Sequence, residues 1–369
     1  MGDRVVTLFL CGDVMTGRGV DQILPHPGDP ALRERYIRDA RDYVRLAGQA
    51  SGPVPVPAGP GYVWGDALDV LARAAPDARV INLETSVTAR GRFARGKGVH
   101  YRMHPANSGC LAPVRPGVCT VANNHVLDFG RAGLADTLAA LSGAGLAAAG
   151  AGPDLAAAQR PAVLPLAGGG RVLVFGCGAA SSGIPPSWAA GRDRPGVAYL
   201  PALTDRAAAD LAGRIRAARR PGDIVVVSIH WGPNWGYEVT GDEVRFARAV
   251  IDRGADLVHG HSSHHPRPAE VYAGKLILYG CGDFIDDYEG ISGYEEYRDD
   301  LRLAYLVSVR AGSGALAAAR MVPLQASRMR LRRTGGEGTR WLAGTLNRAG
   351  RRFGTRVEPG PGGVLGLRA

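Results

Sequence analysis

Short runs of apolar, largely β-branched residues recur along the chain at 5–10, 79–83, 118–122, 172–175, 224–229, 257–259 and 276–279. Each ends in a polar or glycine-rich turn, and runs this short and continuous predict strands buried on both faces. Between them lie helical patterns at 132–143, 204–218 and 242–253; in the last, Val244, Ala247, Val250 and Ile251 make one stripe. Strands alternating with helices restrict the chain to an α/β layered fold. The apolar runs 162–166 and 171–175 flank Gly168-Gly169-Gly170 and predict a hairpin, so parallel and antiparallel pairing should mix.

One segment, 25–60, breaks the alternation. It carries a charged helix-like piece around 33–46 and then the stiff connector Gly52-Pro53-Val54-Pro55-Val56-Pro57. We read it as a surface insertion in one main domain, 1–325, and its place directly after the first strand makes it a candidate lid. Beyond 325, Trp341, Leu342 and Leu346 fall at helical spacing in an arginine-rich stretch. Residues 326–369 should therefore form a packed basic helix and a loosely held Gly/Pro-rich tail.

The formal net charge of +10 is nearly all arginine, since Lys97 and Lys275 are the only lysines. A basic surface suits an anionic substrate. No helix-turn-helix, finger or RNA-binding pattern accompanies the charge, which argues against nucleic acid. The five cysteines lack a Cys-x-x-Cys pair and sit mostly in apolar runs, as buried thiols of a reducing cytoplasm do. The first apolar run is too short for a secretory core and no uncharged stretch reaches membrane-spanning length, so a cytoplasmic chain without a membrane span is expected.

Residues able to bind metal fall just after the apolar runs, where α/β folds place their sites. Asp13, Glu84, the Asn123-Asn124-His125 turn, His230, and His261 with His264 and His265 all stand at such ends. Of nine histidines in the chain, five lie between His230 and His265. Imidazoles mixed with carboxylates suit Zn, Mn or Fe better than Ca or Mg. Spread over several strand ends, they predict a site for two divalent ions about 3.5–4 Å apart, sharing a carboxylate, with Glu84 the candidate bridge. Taken singly, Asp13 and Glu84 could instead cap helices, and His125 could close a turn. His259 should pack in the core, and His26, His100 and His104 stand alone on loops.

Gly12-Asp13, Asn82-Leu83-Glu84, Ala122-Asn123-Asn124-His125 with Asp128 and Gly130, His230-Trp231-Gly232, and Gly260-His261 occur in that order. Together they resemble the motifs of the CapA family of capsule and poly-γ-glutamate biosynthesis proteins, over roughly residues 5–325. The resemblance implies a four-layer αββα sandwich of metallophosphoesterase (calcineurin-like) type with mixed sheets. It also implies a metal-dependent hydrolase acting on a phosphoester or a γ-glutamyl amide-type bond of an exopolymer. By the same resemblance Asp13, Glu84 and His264 hold one ion, and Glu84, Asn124, His230 and His261 the other. His125 is then the general acid. Arg18, Lys97, Arg102, Trp231, His265 and Asp283 are candidates for binding the substrate. Two departures stand out: Ser262-Ser263-His264-His265 follows Gly260-His261 where the family has Gly-His-His-Pro-His, making His265 a rival to His264. Gly280-Cys281-Gly282-Asp283 replaces the usual Leu-Gly-Asn, adding Asp283 as an acid near the site. The alternative is a non-catalytic accessory protein that assists a polymer synthase.

Overall fold

The computed structural model describes residues 4–369. Its centre is the strand Val5–Val14, which runs parallel to Ala78–Leu83 and antiparallel to Leu301–Arg310. Around it a ten-stranded sheet is ordered Arg356–Pro359, Leu365–Arg368, Leu316–Ala326, Leu301–Arg310, Val5–Val14, Ala78–Leu83, Val118–Thr120, Ala147–Ala149, with two short strands beside this path. A seven-stranded sheet is ordered Tyr199–Leu200, Arg171–Ala179, Ile224–His230, Leu257–His261, Lys275–Leu278, Ala269–Tyr272. Its remaining strand, Ala162–Pro165, pairs antiparallel with Arg171–Ala179, the predicted hairpin.

Alternation within strands explains the layering, because successive side chains leave opposite faces. Val6, Leu8 and Leu10 point into a core shared with Val172, Val174, Ile224 and Val226 of the other sheet. Their neighbours Phe9 and Cys11 face outward, under Leu71, Leu134 and Leu141 of the helices Ala67–Ala74 and Gly130–Gly143. On the second sheet Val225, Val227 and Ile229 meet Leu211, Ile215, Phe246 and Val250 of the helices Asp205–Ala218 and Gly241–Asp252. Helix, sheet, sheet, helix is the four-layer sandwich that the resemblance implies. Each such aliphatic side chain contributes about 1.5–3 kcal/mol by leaving water, so strands buried on both faces hold the layers firmly. Among the described residues no helix is long and apolar enough to cross a membrane. All five cysteines are buried and unpaired.

Two expectations need correction. In the 25–60 segment the helix is Arg41–Ser51, later than predicted, and an antiparallel bridge joins Ala31 to Asp39 ahead of it. The segment is not a loose surface piece: Tyr43, Ala47 and Ala58 are buried, and Ala58 N–H donates to the Ile23 carbonyl. Its polar tie toward the site is Glu34 and Tyr43 on Arg18.

The tail is likewise ordered. Arg356–Pro359 and Leu365–Arg368 pair antiparallel and extend the large sheet, with Leu365 opposite Met321. Val357 and Leu365 join the inter-sheet core together with Leu342 and Leu346 of the helix Gly336–Ala349. Asn347 of that helix satisfies both the N–H and the carbonyl of Val357. The Gly/Pro content belongs to the turn joining the two strands, not to a free end. Leu365→Ala should therefore cost about 2–4 kcal/mol in urea unfolding, whereas a loose tail would give a change within about 0.5 kcal/mol.

Candidate metal centre

Asp13 lies inside the end of the first strand, where that strand passes very close to the turn 280–282: a Cβ on Gly12 would sit 1.6 Å from the Gly282 carbonyl oxygen. Only glycine permits this approach. Asp13 N–H donates to that carbonyl at 2.9 Å, and parallel pairing sets Asp283 directly beside Asp13. His230 and His261 end adjacent parallel strands in register with each other, so both imidazoles emerge at one sheet edge.

The result is two donor groups that share Asp13: one with His230 and His261, the other with His264 and Asp283, each with its ligand atoms within 4.8 Å of one another. His230 Nδ1 and His261 Nδ1 are 2.8 Å apart, and 4.0 and 3.8 Å from Asp13 Oδ1. His264 Nδ1 lies 2.9 Å from Asp283 Oδ1. Asn82 Nδ2 donates to Asp13 Oδ1 at 2.7 Å and Ser262 N–H donates to Oδ2 at 3.1 Å. Ser262 holds φ at 107°, a region that costs an ordinary residue about 1–3 kcal/mol. That strain aims its N–H at the carboxylate.

On the His230 side, Glu84 Oε1 is 3.7 Å from His230 Nε2 and 3.8 Å from His125 Nε2, and Asn124 Oδ1 is 3.0 Å from His230 Nε2. His125 is oriented from behind: its Nδ1 is 2.6 Å from Asp128 Oδ2 and 3.0 Å from Lys97 Nζ. Lys97 also pairs with Asp128 Oδ1 at 2.5 Å and donates to the Asn124 carbonyl.

Burial, then the Asp283 charge, pushes Asp13 up to about 7. Burial and Asp13 push Glu84 well above the carboxylate range. Burial, reinforced by neighbouring imidazoles, takes His230 and His261 well below the usual imidazole value, and burial with Lys97 does the same to His125. For His264 burial works against the charged form, but Asp283 outweighs it and raises the group. Asp283 Oδ2 is buried without a hydrogen-bond partner. Lone pairs facing lone pairs, crowded carboxylates and an orphaned oxygen all fit a divalent cation, and the nitrogen-and-oxygen donor set suits Zn, Mn or Fe.

The fold thus brings together Asp13, Glu84, Asn124, His125, His230, His261, His264, Lys97 and Asp283. The carboxylate common to both groups is Asp13; Glu84, the expected bridge, stands between His230 and His125. Asp283, expected against the substrate, joins a donor group instead.

Other candidates for the substrate lie elsewhere. The buried Arg18 is held by Asp287, Glu34 and Tyr43, which engage four of its five guanidinium N–H groups. Arg102 spreads over Phe129, 4.2 Å from the ring centre, and faces Asp29 of the insertion. Trp231 is fully buried: alternation after His230 turns it into the helix-covered core, where its indole N–H meets the Tyr279 carbonyl at 2.9 Å. His265 accepts the Gly236 N–H at 3.0 Å, stacks on Tyr297, and is driven by burial to about 4. Its ring nitrogens are turned to Gly236 and Pro266, and the donor groups include His264 and not His265. His259 is buried as expected, its Nε2 2.8 Å from the Cys11 carbonyl.

Sequence reasoning gave no role to Asp128, though its spacing of three from His125 on a turn was a usable signal. It missed Tyr101 and Tyr288 too. The Tyr101 ring packs 4.2 Å from His125, and its hydroxyl is 2.8 Å from that of Tyr288, which is 3.4 Å from His264 Nε2. No local pattern announces a contact made across the whole chain.

The sequence profile described as Bacterial capsule synthesis protein PGA_cap matches residues 7–288. A probable polyglutamine synthesis accessory protein of Mycobacterium tuberculosis (strain CDC 1551 / Oshkosh) is 56% identical over 363 residues, covering 98% of this chain and 95% of that one. The PGA biosynthesis protein CapA of Bacillus subtilis (strain 168) is 28% identical over 304 residues, 82% of this chain and 68% of that one. A crystal structure described as a novel phosphatase of Mycoplasma pneumoniae covers 88% of this chain and 95% of its own at 10% identity and a TM-score of 0.49, an overlap too loose to bear on chemistry. With the profile spanning most of the chain and a relative this similar along nearly its full length, the chain belongs to the PGA_cap family of bacterial capsule synthesis proteins.

Proposed function

We propose that the chain is a metal-dependent hydrolase serving poly-γ-glutamate or capsule-type polymer biosynthesis, cutting a phosphoester or a γ-glutamyl amide-type bond. The observation that carries this reading is the buried Asp13 shared by two donor groups, beside a His125 oriented by Asp128. Asp13 with His264 and Asp283 would hold one divalent ion; Asp13 with His230 and His261, flanked by Glu84 and Asn124, would hold the second. Such ions supply Lewis acidity and an activated water near neutral pH. The remaining work belongs to side chains. Asp128 holds the imidazole of His125 through Nδ1, so that Nε2 faces the reacting group; in this reading Nε2 takes up a proton from the attacking water and passes it to the departing oxygen or nitrogen. Burial of the charged groups and imidazoles among them excludes bulk water and strengthens each charge.

A second reading is favoured by one finding, the accessory-protein name of the 56% identical relative: the centre would then be structural, and the chain would assist a polymer synthase without turnover.

Elemental analysis should find about two metal equivalents in the wild type, falling in both groups for Asp13→Ala but in one for Asp283→Ala or His230→Ala. A wild type that takes up no Mn, Zn or Fe would sink the hydrolase reading. With metal content unchanged, His125→Ala should lower kcat on a chromogenic phosphodiester or a γ-glutamyl anilide by about 10²–10⁴-fold. Full metal loading with turnover of neither substrate, together with loss of synthase binding in Asp13→Ala, would favour the accessory role.

A further inference from the structure

Two loops meet beside His125 and leave their outer faces positively charged. In 31–38 the exposed side chains include Arg33, Tyr36, Arg35 and Arg38, while Glu34, the acidic residue of that stretch, is turned inward onto Arg18. Residues 89–99 contain no acidic residue and expose Arg92 and Arg95. The loops touch at Phe93, where the Arg33 guanidinium sits 4.7 Å from the ring centre. Phe93 is itself fixed against His100 and Phe129, each at 5.0 Å, and Ala94 N–H donates to the Asp128 carbonyl at 2.8 Å. The surface is therefore anchored to the turn that carries His125. None of Arg33, Arg35, Arg38, Arg92 and Arg95 makes an ion pair among the described residues; nearby acids are already taken, Asp29 by Arg102 and Asp136 by Arg90. From this patch Lys97 leads inward to within 3.0 Å of His125 Nδ1.

We propose that this arginine face is the docking surface for an extended poly-γ-glutamate-type polycarboxylate chain, leading it past Lys97 to the metal centre. The inference rests on the proposed function and adds where its substrate lies. Several separated guanidiniums suit repeated carboxylates, which each can grip with two parallel hydrogen bonds. A single small anion would need them convergent. A nucleic acid strand would call for free aromatic faces on which bases stack; Phe93 is already covered by His100 and Phe129, and Tyr36 has the Arg35 guanidinium 5.2 Å from its ring centre.

The test is fluorescence anisotropy with labelled poly-γ-glutamate on the full chain. Replacing Arg33, Arg35, Arg92 and Arg95 together by alanine should weaken binding at least tenfold and flatten its salt dependence by about one unit of log–log slope per arginine removed. A control variant losing the exposed Arg206, Arg340, Arg351 and Arg356 removes the same charge elsewhere and should bind as wild type; circular dichroism checks that both fold. Equal loss in the two variants, no loss in the first, or tighter binding of labelled oligothymidine than of the polymer would overturn the proposal. Asp13→Ala separates it from the chemistry: polymer binding should persist there without turnover, and its loss would count against a surface distinct from the centre.

Discussion

Two carboxylates, Asp13 and Asp283, are held side by side in the interior, and this unfavourable proximity organises what surrounds it. The first strand can bring Asp13 there only because Gly12 has no side chain against the Gly282 carbonyl. The same approach forms the short parallel pairing that delivers Asp283. Nearby, Asn82 and the strained Ser262 turn N–H groups toward Asp13, and His264 turns toward Asp283. The buried Asp283 charge beside it raises the proton affinity of Asp13, so the arrangement is stable only with compensating cations or protons. The surrounding three apolar cores supply the rigidity that keeps it assembled.

How much of this was legible in the sequence depended on the range over which each signal acts. The continuous β-branched runs announced the strands, because burial on both faces leaves no polar position to disguise them. Strand ends such as His230 and His261 were equally plain, since chain direction alone puts them at one edge. Asp283 was read as an acid near the site, but its partnership with Asp13 was not legible, because it is made by pairing between residues far apart in the chain. Trp231 was misplaced for the opposite reason: adjacency to His230 suggested shared purpose, whereas alternation sends neighbours to opposite faces. His264 and His265 are indistinguishable by composition, and only the stacking of His265 on Tyr297 separates them. At the C-terminal end glycine and proline concealed a strand pair, because they describe its turn and not the residues that flank it.

The centre is rich in groups that a folding chain would rather not bury. Glu84, Asp13 and several imidazoles give up hydration, and Ser262 gives up a relaxed backbone. Violations of local preference of this kind concentrate at functional sites and are offset elsewhere. Arg18 shows the offsetting at work outside the donor groups. It neutralises Asp287 and Glu34 at once, and so converts what would be two further buried charges into the fastening between the 25–60 segment and the core.

The in-register endings of Ile224–His230 and Leu257–His261 carry an implication for how such a protein can change over generations. A single residue inserted into or deleted from either strand would turn its terminal imidazole to the opposite face, abolishing the donor pair in one step with no weakened intermediate. The centre therefore ties the two histidine-bearing strands to one length, a constraint of register that a loop, having no alternation to preserve, does not carry.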